Sequence, residues 1–161
     1  MRMKPAKTAK TLEPGPGLQY AALPFRRDDG VSILLVTSRE TGRWVLPKGW
    51  PMKGRKPCDA AAQEALEEAG IVGRVEKQAI GFYRYDKRLP DGSARRCTVH
   101  VFALEVEGQR TRWREQGQRI ARWFPLEEAA ASVHEQELQD LIQAFGRSLV
   151  TDAGDGAPGA A

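Results

Sequence analysis

The chain has 161 residues, 41% of them hydrophobic, with a formal net charge of +4. That length suits one domain with a core of its own. No apolar run reaches the ~18 residues that a membrane-spanning helix needs, and the N-terminus lacks the apolar centre of a secretory signal, so a membrane or secreted protein is not expected.

Residues 1–17, MRMKPAKTAKTLEPGPG, read as a flexible basic tail ending at a turn-prone Pro-Gly-Pro-Gly. Leu18 to Phe25 and Val31 to Thr37 read as strands joined by the turn-like RRDDG. A short apolar run, Trp44 to Leu46, stops at Pro47 and is followed by a Gly/Pro-rich loop, KGWPMKGRKP. Asp59 suits the N-cap of a helix through Ala69, with Gly70 as its stop. Ala61, Ala65, Leu66 and Ala69 then line a core face. Further strands are expected over Ala79–Tyr85, Thr98–Val106 and Ile120–Phe124, and Pro125 suits the first turn of a helix. Leu138, Leu141, Ile142 and Phe145 recur at helical spacing and predict a last helix from about Glu135 to Arg147. Residues 148–161 are small and Gly-rich and read as a disordered tail. The domain therefore spans residues 18–147, a mixed α/β (α+β) sandwich in which helices cover a sheet.

Cys58 and Cys97 form neither a disulfide framework nor a metal-type C-x-x-C pair, and read as reduced thiols of a cytoplasmic protein. Charge is unevenly spread. Residues 84–96 carry five basic and two acidic side chains, and residues 110–122 carry five basic and one acidic. Such stretches are commonly solvated loops; as a functional feature they would form a cationic rim for a polyanion. The candidates are Arg84, Lys87, Arg95, Arg96, Arg112 and Arg114, with Arg43 and Lys48 from earlier loops. Charge alone does not choose between a small polyphosphate and a nucleic acid. His100 and His134 read as packing or surface residues. Trp50, Trp113 and Trp123 stay open between stacking on a base and packing at the core or its edge.

Glu64, Glu67 and Glu68 are spaced i, i+3, i+4, which puts them on one side of the helix with no basic residue in QEALEEAG to offset them. Most Glu-rich helix faces are simply solvated, but a bound divalent cation would also supply the missing charge. Magnesium and manganese favour such hard oxygen ligands. In the preceding loop, Lys48 can pair with a phosphate and the Gly49 carbonyl can turn towards a metal.

The stretch LPKGWPMKGRKPCDAAAQEALEEAGI resembles the Nudix box, G-x5-E-x7-R-E-U-x-E-E-x-G-U, where U is aliphatic. Gly49, Glu64, Glu67, Glu68, Gly70 and Ile71 fall in register; Arg55 stands at the first glutamate and Gln63 at the arginine. SILLVTSRETGRWVLPKG and ARWFPLEEA are similar to the diphosphoinositol polyphosphate and diadenosine polyphosphate phosphohydrolase branch. The resemblance covers about residues 18–147. It implies an α/β/α sandwich with a mixed central sheet and the box as a loop and helix. It implies hydrolysis of a phosphoanhydride in a dinucleoside or diphosphoinositol polyphosphate, with Mg2+ or Mn2+ held by Gly49, Glu64, Glu67 and Glu68. Among the three glutamates Glu68 is the expected general base, and Glu115, near Trp113, is an alternative. Two other readings remain: removal of pyrophosphate from a nucleoside triphosphate or an RNA 5′ end, and a noncatalytic nucleotide-sensing module, which Arg55 and Gln63 motivate. A small-molecule ligand is favoured over RNA, and the assembly expected is a monomer or homodimer.

Overall fold

The computed structural model describes residues 17–156, so the expected basic tail lies outside the described residues apart from Gly17. The first strands are apolar runs with side chains buried on both faces of the sheet: β1 (Leu18–Arg27) and β2 (Val31–Thr37) form an antiparallel hairpin, with Phe25 opposite Ile33. Its turn uses left-handed backbone at Asp29 and Gly30. Two short strands follow, β3 (Trp44–Val45) beside β2 and β4 (Lys48–Gly49) beside β1. Helix α1 (Pro57–Ala69) comes next, then β5 (Ile71–Val75), β6 (Gly81–Arg88), β7 (Ala94–Gln109) and β8 (Ala121–Pro125). Helices α2 (Leu126–Ser132) and α3 (Gln136–Gly156) complete the chain.

The eight strands form one mixed sheet. β1 runs parallel to β7, from Leu18 opposite Thr98 to Phe25 opposite Glu105, and every other pairing is antiparallel. The long β7 divides its second edge between β6 at its start and β5 at its end. The sheet is covered on both faces because successive residues point to opposite sides. Ala21, Leu23 and Phe25 pack with Ala129 and Ala130 of α2 and with Leu138, Ile142, Phe145 and Leu149 of α3. Ala22, Phe102 and Leu104 pack on the other side against Ala61, Ala65 and Ala69 of α1. This is an α/β/α sandwich, as the sequence predicts. Among the described residues, no helix is long and apolar enough to cross a membrane.

Two helix boundaries differ from expectation. α1 starts at Pro57, and its N-cap is Lys56, with no side-chain hydrogen bond, in place of Asp59. Proline at the first helical position has its φ already set and gives up only an N–H that would be unpaired there. α3 continues past Arg147, so residues 148–156 are helical where a disordered tail was expected. Leu149 is buried in the core beneath it, a long-range contact that holds a segment of weak local pattern.

Candidate active site

Helix α1 owes its sharp end to Gly70, which takes the left-handed conformation (φ 72°) and donates its N–H to the Ala65 and Leu66 carbonyls. The β7–β8 loop docks on that end. Arg110 N–H donates to the Gly70 carbonyl and Glu115 N–H to the Glu67 carbonyl, both at 2.8 Å. Trp113 lies over Gly70, where an added Cβ would collide with the indole. The loop thus carries Glu115 and Arg119 to the glutamate face of α1.

The result is a cleft of about 380 Å³ bordered by α1, β4, the ends of β2 and β6, and this loop. Gly49 in β4 lets the backbone pass close to the helix, because a Cβ there would overlap the Glu64 carboxylate. Glu68 is 5% exposed. Burial pushes its carboxyl up to about 8; Arg119 and Lys48 oppose the rise and neighbouring Glu64 adds to it. Glu64 is also raised, chiefly by burial. Lys48 is half-buried, and the loss of water holds its ammonium below the usual lysine range despite Glu68 and Glu135. Arg119 lies among these groups with 11% of its side chain exposed. Its Nε donates to Glu115 (3.0 Å) and its Nη1 to the Thr37 carbonyl (3.1 Å), while Nη2 is 3.7 Å from Glu68.

Among the described residues, no three carboxylate, imidazole or thiol groups already converge as a finished ion site. Glu67 accepts a hydrogen bond from Gln63 Nε2 at 2.8 Å. The donor chemistry nevertheless fits a divalent cation. Glu64 and Glu68 are neighbouring hard oxygen donors, and the carboxyl raised to about 8 holds a proton that a cation can replace.

Residues 16–145 match the NUDIX domain family model. The chain belongs to the Nudix family. It is 31% identical over 133 residues to diphosphoinositol polyphosphate phosphohydrolase 3-alpha of Mus musculus, covering 80% of this chain and 76% of that one. It is 26% identical over 130 residues to the mitochondrial Nudix hydrolase 13 of Arabidopsis thaliana, covering 78% of this chain. The chain spans less than two thirds (64%) of that plant relative's length. A C. elegans Ap4A hydrolase binary complex shares the fold, with a TM-score of 0.63 at 19% identity over 84% of this chain and 99% of that one.

Within the Nudix box the two departures touch each other. Arg55 Nη1 donates to Gln63 Oε1 at 3.2 Å, and Gln63 in turn donates to Glu67. The two positions are neighbours, but Arg55 keeps a positive charge that the neutral Gln63 does not offset, and it lies exposed to solvent. Of the cations expected from the sequence, Arg43, Lys48, Lys87 and Arg114 line the cleft. Arg95 lies over the Trp50 ring at the cleft wall, and Arg96 pairs with Asp86, which lines it. Arg84 instead pairs with Glu137 of α3, and Arg112 is exposed outside the lining. Trp113 packs on Gly70, Trp123 carries the Arg26 guanidinium at 4.1 Å, and Trp50 lines the cleft. His134 is exposed, and His100 sits between Tyr20 and Phe82 on the sheet. Sequence reasoning did not single out Arg39, Arg88 and Arg119 in the lining, nor Tyr85, whose hydroxyl donates to Gln19 Oε1 at 2.6 Å. For Arg119 the available signal was its i, i+4 spacing from Glu115.

Proposed function

We propose that this Nudix protein is a divalent-metal-dependent hydrolase of phosphoanhydride bonds in a polyphosphate, of the dinucleoside or diphosphoinositol type. The observation that carries the reading is one cleft holding both halves of the chemistry. Glu64, Glu67 and Glu68 line it together with Arg39, Arg43, Lys48, Lys87, Arg88, Arg114 and Arg119. Carboxylates alone would repel a polyphosphate, and cations alone would only bind it. Bound at Glu64, Glu67, Glu68 and the Gly49 carbonyl, Mg2+ or Mn2+ would neutralise phosphate charge and acidify a water. The chain's own groups do the rest. Lys48, Lys87 and the arginines hold the phosphates that do not react, and arginine's forked donors suit their oxygens. Glu68, the most buried of the three glutamates, is our choice to accept the proton of the attacking water. Glu115, held by Arg119, is the alternative base.

The free, buried Cys58 and Cys97 support a reducing compartment, and we place the protein in the cytoplasm. One observation favours a second reading, a noncatalytic nucleotide-sensing module: Glu67 is engaged by Gln63 in place of its fellow carboxylates. A substrate panel with Mg2+ and then Mn2+ separates the two. It contains dinucleoside polyphosphates, diphosphoinositol polyphosphates, nucleoside triphosphates and 5′-triphosphorylated RNA. The hydrolase releases product from the first or second class. Ligand binding without product from any of the four favours the module, and RNA cleavage would reassign the substrate.

A further inference from the structure

Trp50 is the next residue after Gly49, on whose backbone Glu64 rests. Four large apolar side chains stand out as exposed among the described residues: Trp50, Phe82, Ile120 and Val150. Of these, only Trp50 lines the cleft. With 39% of its surface exposed, its indole gives up burial that a tryptophan ordinarily finds, and does so beside polar and charged walls. The Arg95 guanidinium lies 5.1 Å from the centre of the ring. Arg95 is the cross-strand partner of Lys87, another residue of the cleft wall. The broad aromatic face of Trp50 and the Lys87 ammonium therefore line one cleft with the carboxylates, and the forked cation of Arg95, outside that lining, lies against the indole.

Resting on the reading of this cleft as a polyphosphate site, we infer that Trp50 and Arg95 form a nucleobase subsite. The organic part of the substrate is then a nucleoside, not an inositol. Every nucleobase presents a π face that stacks on an indole, and a guanidinium can stack on the same system or donate to ring nitrogens and carbonyls. An inositol ring is saturated and clothed in hydroxyls and phosphates. It gains from Lys87 and Arg95 but gains nothing specific from an exposed indole. The cations serve any polyphosphate, and the aromatic face is what discriminates.

The test combines binding and turnover on the intact protein. Adenosine 5′-monophosphate should quench wild-type tryptophan emission, and the part of that quench due to Trp50 should vanish in Trp50→Phe. In Trp50→Ala, KM for diadenosine tetraphosphate should rise roughly tenfold relative to KM for a diphosphoinositol polyphosphate. Trp50→Phe, which keeps a stacking face, should recover most of that ratio. An unchanged ratio, or equal losses on both substrates, overturns the subsite. If neither substrate is cleaved, the hydrolase reading fails on its own. The subsite is then decided by the quench alone: supported if it depends on Trp50, overturned if it does not.

Discussion

Glu64 lies against Gly49 and Glu68 lies behind it in the cleft wall, so the smallest substitutions here act on geometry before they act on charge. Gly49→Ala places a methyl where the Glu64 carboxylate sits and must push it aside. We expect kcat to fall about a hundredfold, the scale of a misplacement near 1 Å, with the circular dichroism spectrum unchanged. Glu68 gives a pH signature. Its carboxyl is raised to about 8 in the fold from an ordinary 4.5, so the folded state holds a proton that the unfolded chain releases. For the metal-free protein, this stabilising proton is fully present below the ordinary value and is lost as pH rises through about 8. The melting temperature in chelator should therefore fall between pH 6 and 9, and Glu68→Gln should flatten that slope. A slope unchanged by the substitution would assign the proton elsewhere. Because a cation competes for the same oxygens, apparent Mg2+ affinity should climb with pH over the same range.

At the scale of elements, the β7–β8 loop is tied to the end of α1 by Gly70, which is needed twice over. Its backbone is left-handed, and the space where its Cβ would stand belongs to Trp113. Gly70→Ala should cost about 1–2 kcal/mol for the backbone alone, and more once the indole is displaced. Urea denaturation measures that loss, and faster amide exchange at Glu115 would show the loop released from the helix. At the other end of the chain, Leu149→Ala should destabilise by about 2 kcal/mol, because α3 packs into the core past Arg147. No change in the denaturation midpoint would mean that this last stretch bears no load. The elements themselves were legible where local chemistry decides them. Apolar runs mark β1 and β2, alternation marks the middle of β7, and Gly70 marks the end of α1. The helical stretch beyond Arg147 was not legible, because its anchor is a contact with residues far away in sequence. The N-terminus of α1 differs because Asp59 is a good cap in isolation, while Pro57 at the first helical position moves the cap three residues earlier, to Lys56.

At the scale of the whole molecule, the glutamates were readable because one helix displays them at fixed spacing. The cations facing them come from four separate segments, and only the parallel pairing of β1 with β7 and the antiparallel strands around it bring those segments together. That is why Lys48 and Lys87 cannot be told from Arg84 by sequence: all three are basic, yet Arg84 is taken up by Glu137 of α3. Arg119 was hidden in the same way, as one arginine among several until the loop folds it beneath Glu68 and Glu115. The central claim is that Glu67 and Glu68 hold the metal that cleaves a polyphosphate in this cleft. The most direct measurement is product release from diadenosine tetraphosphate by wild type, Glu67→Gln and Glu68→Gln, each with and without Mg2+. Turnover that needs Mg2+ and falls by at least about a thousandfold in both variants is the predicted result. Turnover that persists in chelator, or survives either substitution, would contradict it.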